Sequence, residues 1–295
     1  MLQALKQPHL PDVQSSSLTT YLLLESEVLE EWLMQQPDAP EQPSIADFVR
    51  TVDYATSQHW VWSETEYDQY RSDGPLLVQY HPGSDLPALF LDQWAAIGGA
   101  VFMASARPID DVLAQLREVL FVLMPNGNKA RWRLQETAAL ASILGTLEPH
   151  RAAALLGPVQ ELIWRENFGP EHQWWRYQHA HGPLPVQGGF QFSHGEMTAI
   201  DTGLGEHHLR KNIALTQQAP HSFYDSARRQ TLIWLDQLKR WGFEEIQHLD
   251  SALEAFRHPA YSKRADGVIT LLQDPSLTPG ARATQALNHL MTEGH

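Results

Sequence analysis

The chain has 295 residues, 43% of them hydrophobic, and a formal net charge of −14; single cores stop growing at about 250–300 residues, so two domains are expected. The surplus of acid argues against a general nucleic-acid binder, because neutralising phosphates takes Lys and Arg. There is no cysteine, which excludes disulfides and thiolate metal sites, and no apolar run approaches the roughly 18–20 residues that span a bilayer.

The charge is uneven. Residues 1–150 carry 8 basic and 20 acidic side chains, residues 151–295 carry 13 and 15. An acidic first half could attract a basic partner segment; a merely solvated surface is the plainer reading. The opening stretch, MLQALKQPHLPDVQSSS, has no charged region leading into a long apolar core. No signal peptide is expected, and the cytoplasm is the expected compartment.

In chain order, residues 1–17 are polar and proline-punctuated and read as a flexible arm. Residues 18–168 read as an α/β (α+β) domain. Thr20–Leu24 is a strand, and Ser26 is placed to cap a helix from Glu27 to Gln35 with Val28, Leu29, Trp32 and Leu33 on its buried stripe. Residues 37–44 are a loop by composition, 47–62 are ambiguous, and 63–73 look exposed. Pro75–Tyr80 is a second strand, and Asp85–Ala96 a helix with Pro87 in its first turn.

The stretch Gly98–Glu136 is the clearest unit: strand, helix, strand, tight turn, strand. Pro108 suits a first helical turn, and Asp110 and Asp111 favour a helix N-terminus. Val112, Leu113, Leu116, Val119 and Leu120 recur at helical spacing. Pro125-Asn126-Gly127 marks a hairpin turn, since Asn and Gly tolerate positive φ. Arg131-Trp132-Arg133-Leu134 reads as the returning strand, with Arg133 either paired to a buried carboxylate or facing solvent. Two short helices, Thr137–Leu144 and His150–Leu156, follow, and Val159–Arg165 is a closing strand or a helical turn.

Strands alternating with helices predict a mixed sheet with packed helices. Residues 169–193 read as an irregular linker. Residues 194–295 read as an all-helical domain, including a helix from Phe223 to Trp241 with a stripe at Leu232, Leu235, Leu238 and Trp241. No internal repeat is evident.

A search for chemistry returns little. His172, His179 and His181 are crowded in sequence but lack metal-ligand spacing. Nucleophile elbows and phosphate cradles are absent: there is no GxSxG and no GxxxxGK[ST]. Adjacent acid pairs such as Asp110/Asp111 read as helix-start charge. No catalytic residue, metal site or cofactor is expected. The aromatic load of Trp60, Trp62, Trp132, Trp164, Trp174 and Trp175 reads first as packing and second as a protein-binding surface. On the second reading the candidates are Arg131, Trp132 and Arg133, together with Trp174, Trp175, Arg176 and Tyr177 in a segment, EHQWWRYQ, expected to be an exposed loop.

The order YLLLES, GPLLVQY, then GGAVFMASARPIDDVLAQLREVLFVLMPNGNKARWRLQE, then LGPVQELIW resembles the domain of the type VI secretion effector chaperones, or adaptors (Tap or TEC proteins). Ser105, Leu116, Arg117, Pro125, Gly127 and Arg133 occupy the matching positions, as does Leu156-Gly157-Pro158, over roughly residues 20–165. The family often continues the Arg strand into Asp-Pro; here Gln135-Glu136-Thr137 stands instead. The resemblance implies a non-enzymatic, bacterial cytoplasmic protein that binds a cognate toxic effector and helps load it onto the VgrG spike, with no nucleic-acid or membrane partner. Two other readings stay open: an immunity protein that neutralises a toxin, or an enzyme using the His172–His194 stretch with Glu171 or Glu196.

Overall fold

The computed structural model describes residues 1–10, 17–37, 41, 43–81, 83–179, 189–218 and 226–291. The chain divides into two compact units, 1–167 with 172–204, and 168–171 with 205–295. The first unit is α+β and the second helical, the class that the element order predicts.

In the first unit the order is β1 (Leu2–Leu5), β2 (Thr19–Leu24), α1 (Ser26–Met34), α2 (Ile45–Val52), β3 (Ser57–Trp60), β4 (Leu76–Gln79), α3 (Leu86–Asp92) and β5 (Ala100–Ser105). There follow α4 (Ile109–Glu118), β6 (Phe121–Leu123), β7 (Lys129–Arg131), α5 (Thr137–Thr146), α6 (Pro149–Leu156), β8 (Glu161–Phe168), β9 (Glu171–Gln178), β10 (Phe190–Gln191) and the start of α7 (His194–Gln217). A seven-stranded sheet runs β1-β9-β8-β5-β2-β4-β3, and a small sheet runs β10-β6-β7.

Strand β2 lies between β4 and β5, antiparallel to both, with Leu22 opposite Val78 and Phe102. Its residues alternate between two cores. Tyr21 and Leu23 meet Leu77, Met103 and Trp164 under α4, α5 and α6. Leu22 and Leu24 meet Val78, Phe102 and Ile163 under α1, α2 and α3. Each leucine so buried contributes roughly 1.5–3 kcal/mol of transfer free energy, which is why an uninterrupted apolar run reads as a strand buried on both faces.

Several expectations need correction. The arm expected at residues 1–17 contains β1, which pairs with β9 through Leu2–Tyr177 and Leu5–Trp174. The linker expected at 169–193 contains β9, whose Trp174 and Tyr177 are buried in the sheet. The division between units falls instead at residues 204 and 205, within α7. Ser26 does not cap α1: its hydroxyl donates to the Gly74 carbonyl at 2.6 Å, and Glu25 stands at the helix start. The returning strand ends at Arg131, and parallel pairing occurs between β10 and β6 in the small sheet.

The family-like positions at the end of β5 meet the end of α6. Ser105 Oγ donates to the Pro158 carbonyl at 2.7 Å and accepts from the Arg107 N–H at 3.0 Å. Gln115 of α4 donates to the Leu155 carbonyl at 2.9 Å. Gly157 turns the chain there with φ +58, and a Cβ would fall 2.4 Å from the Gln115 side chain. Nearby, the Arg151 guanidinium donates to both oxygens of Glu196, at 2.9 and 3.1 Å, and lies 4.4 Å from the Phe190 ring centre.

In the second unit α8 (Ala227–Arg240), α9 (Ile246–Arg257), α10 (Tyr261–Gln273) and α11 (Pro279–Met291) enclose a core of Leu238, Phe243, Leu253, Phe256 and Val268. Trp234 stacks on Phe256 at 5.2 Å. The expected stripe is rotated: Leu232 is 43% exposed, and Trp234 takes the buried place beside Leu235 and Leu238. The expected start of this helix at Phe223 lies outside the described residues. Inside the unit, fully buried Asn212 donates to Asp250 at 2.9 Å and accepts from Arg257 at 2.7 Å.

Two outcomes are expected from these contacts. Gly157→Ala places a side chain at positive φ and against Gln115, and should cost about 1–3 kcal/mol; an unchanged midpoint of thermal unfolding would refute the argument. Hydrogen bonds from Arg151, above all, hold the Glu196 carboxyl down to about 2 from a normal 4.5. Its contribution is therefore complete above about pH 4.5 and is lost as pH falls towards about 2. Glu196→Gln should flatten the decline in melting temperature across that window; parallel curves for the two proteins would contradict it.

Candidate partner-binding site

The β6–β7 hairpin brings distant residues into one cleft. Gly127 takes φ +82, Met124 N–H donates to Asn128 O at 2.8 Å, and Asn128 N–H donates to Asn126 Oδ1 at 3.0 Å. Past β7, Trp132 N–H donates to the Leu120 carbonyl at 2.8 Å. That bond lays Arg131 and Arg133 along a cleft of about 340 Å³. The facing walls are Glu25 and Glu27, from the β2–α1 junction, and Trp62, Tyr67, Tyr70, Asp73 and Pro75, from the β3–β4 connection.

Arg133 Nη2 donates to Glu25 Oε1 at 2.9 Å, with Glu25 8% and Arg133 37% exposed. Glu25 Oε2 is buried and accepts no hydrogen bond among the described residues. Arg131 is exposed, and its guanidinium lies 5.4 Å from the Trp62 ring centre. Trp62 is followed by Tyr67 at 5.3 Å and Tyr67 by Phe121 at 5.9 Å, with Lys129 over Phe121 at 5.9 Å. A row of three rings thus carries a cation at each end.

Two residues fix the row. At Gly74 a Cβ would fall 2.4 Å from the Trp62 ring, so Trp62 lies directly on backbone. Arg117 donates to Glu64 Oε2 at 2.7 Å and to the Val61 carbonyl at 3.3 Å, tying the β3–β4 connection to α4. Glu30, on α1, accepts from the Ile45 N–H at 3.2 Å, and burial pushes its carboxyl up. Rings, an exposed guanidinium and carboxylates of graded exposure make a surface suited to holding a polypeptide segment, since aromatic residues and arginine are the usual anchors of such contacts.

Of the residues singled out from sequence, Arg131 and Arg133 come together here. Trp132 sits beside them, half-buried against the core. Trp174, Trp175, Arg176 and Tyr177 do not: they lie on β9, not on an exposed loop. Trp174 packs on Phe90 at 5.8 Å. Trp175 Nε1 donates to Glu166 at 2.7 Å, and Arg176 Nε donates to buried Glu161 at 2.7 Å. The Trp175 indole N–H and the Arg176 guanidinium thus hold β9 to β8, while the buried Tyr177 hydroxyl has no hydrogen-bond partner among the described residues. Glu25, Tyr67, Tyr70 and Asp73 join the cleft without a local sequence signal beyond tryptophan and tyrosine recurring around an acidic run.

The histidine group fares differently. His179 lies 2.7 Å from the Val159 carbonyl, while burial first and the charge of Arg165 second hold His172 below its usual value. His181 lies outside the described residues. Among the described residues no three of His, Cys, Asp or Glu are placed to hold a metal, and no helix is long and apolar enough to cross a membrane.

Residues 38–154 match a family model described as a domain of unknown function, DUF4123. No curated protein and no solved structure matches the chain. The DUF4123 match runs from the α1–α2 connection into α6, and so supplies the aromatic wall and both arginines of the cleft. Glu25 and Glu27 come from before it.

The two arginines should separate by mutation. Arg133→Ala strands the buried Glu25 carboxylate and should cost about 1–3 kcal/mol of stability. Arg131→Ala removes an exposed cation worth about 0.5–1 kcal/mol on a ring and should leave the melting temperature nearly unchanged. Equal losses in chemical denaturation would show that the Arg133–Glu25 pair carries no special weight.

Proposed function

We propose that the chain is an adaptor (chaperone) that binds a type VI secretion effector in the bacterial cytoplasm and helps deliver it to the VgrG spike. The observation that carries this reading is the DUF4123 match over residues 38–154, a family associated with type VI effector adaptors. The ordered motifs from Tyr21 to Trp164 support it, and so does a cleft whose walls are made of interface-type residues. On this reading the protein is not an enzyme. Its first unit grips a segment of the effector at the cleft, and its helical unit makes a second contact that sets which effector is accepted.

The test is made in the source bacterium. Deleting the gene should remove one toxin from the secreted fraction by tenfold or more while leaving the spike proteins secreted, by about the margin that a lost nanomolar contact implies. The tagged chain should co-purify that same toxin. Secretion of every effector at normal levels would defeat the adaptor reading. A toxin that is still secreted, but kills its own producer once the gene is gone, would point to an immunity protein.

A further inference from the structure

Resting on the adaptor reading only for the identity of the partner, we propose that the cleft receives a basic side chain, Lys or Arg, from the segment it binds. The floor of the cleft supplies the first reason. Arg133 satisfies one oxygen of Glu25, and the other, Oε2, is buried with nothing to accept among the described residues. A carboxylate has about four acceptor sites, and a buried one left unmet costs about 1–3 kcal/mol. Only a donor can complete it, and a cationic donor does so most strongly.

The walls supply the second reason. Trp62, Tyr67 and Tyr70 present rings, and ring faces attract a cation that comes within about 6 Å of the centroid. Arg131 already demonstrates the contact on Trp62, at 5.4 Å. Tyr70 is 53% exposed and unoccupied by any such cation among the described residues. Glu27 and Asp73 add exposed carboxylates at the rim.

The charge balance decides the sign. Three carboxylates face two guanidiniums, one of which Glu25 already neutralises. With that pair set aside, an approaching acid would gain Arg131 and meet Glu27 and Asp73. An approaching base meets the reverse, within a half-chain of 20 acidic and 8 basic side chains. Volume agrees: about 340 Å³ takes a single long side chain and its neighbours, whereas a helix about 10–12 Å across would not enter.

The probe is a capped tripeptide, acetyl-Gly-Arg-Gly-amide, titrated onto the full chain while the indole N–H signal of Trp62, assigned with Trp62→Phe, is followed by NMR. The Lys peptide should behave alike, and the citrulline and Glu peptides should bind about fivefold or more weakly, the ratio expected for one charge-assisted hydrogen bond. Glu25→Gln should weaken the Arg peptide by a similar factor. If that variant does not fold, the exposed pair Glu27→Gln with Asp73→Asn should still weaken it about threefold. Equal binding of Arg and citrulline peptides, tighter binding of the Glu peptide, or no saturable shift would each overturn the proposal. No effector is needed, so a failed secretion test leaves this result standing, and failure here leaves the adaptor reading standing.

Discussion

Strand β2 places Tyr21 and Leu23 on one side of the sheet and Leu22 and Leu24 on the other, each at 1% exposure or less. A strand apolar on both faces exists only where both faces are covered, and that requirement organises the first unit. The chain meets it by sending α1, α2 and α3 to one face and α4, α5 and α6 to the other. The alternation of strand and helix along the sequence is the trace of this covering. The β6–β7 hairpin is left outside the large sheet, in a small sheet of its own. There it is available to form one wall of a cleft.

The cleft depends on that arrangement. Glu25 is the residue at which β2 ends and α1 begins, so its carboxylate is fixed by the most buried strand of the unit. Arg133 reaches it from the far side of the hairpin, 108 residues later. The aromatic wall comes from the connection between β3 and β4, at the sheet's edge. Three segments held by different contacts therefore converge, and on the proposed reading the polar groups between them are oriented before a partner arrives. Such preparation lowers the entropy that binding must offset.

What could be read in the sequence follows from how local each signal is. The helices of the second unit, the Gly98–Glu136 unit and the strand at Tyr21 carry their periodicity within themselves. β1 and β9 do not. The run EHQWWRYQ looks polar because the acids that satisfy it, Glu161 and Glu166, lie on β8, and nothing in the run itself shows that Arg176 and Trp175 are spoken for. LQAL is too short to be read as a strand until its partner is known. Of the two fates the sequence leaves open for Arg133, the structure shows the pairing with a buried carboxylate, and that partner, Glu25, depends on long-range topology. Leu232 misled because a stripe at threes and fours fits α8 equally well when rotated onto Trp234.

Gly74 has a consequence of a different kind. Because the Trp62 ring rests on bare main chain at that point, its position is set by the path of the backbone and owes little to which side chains surround it. The rim of the cleft can therefore be rewritten, residue by residue, without moving the ring it encircles. On the proposed reading, a lineage that recognises successive cargoes would keep the same platform and change the lettering around it, and a methyl group added at position 74 would displace the platform itself.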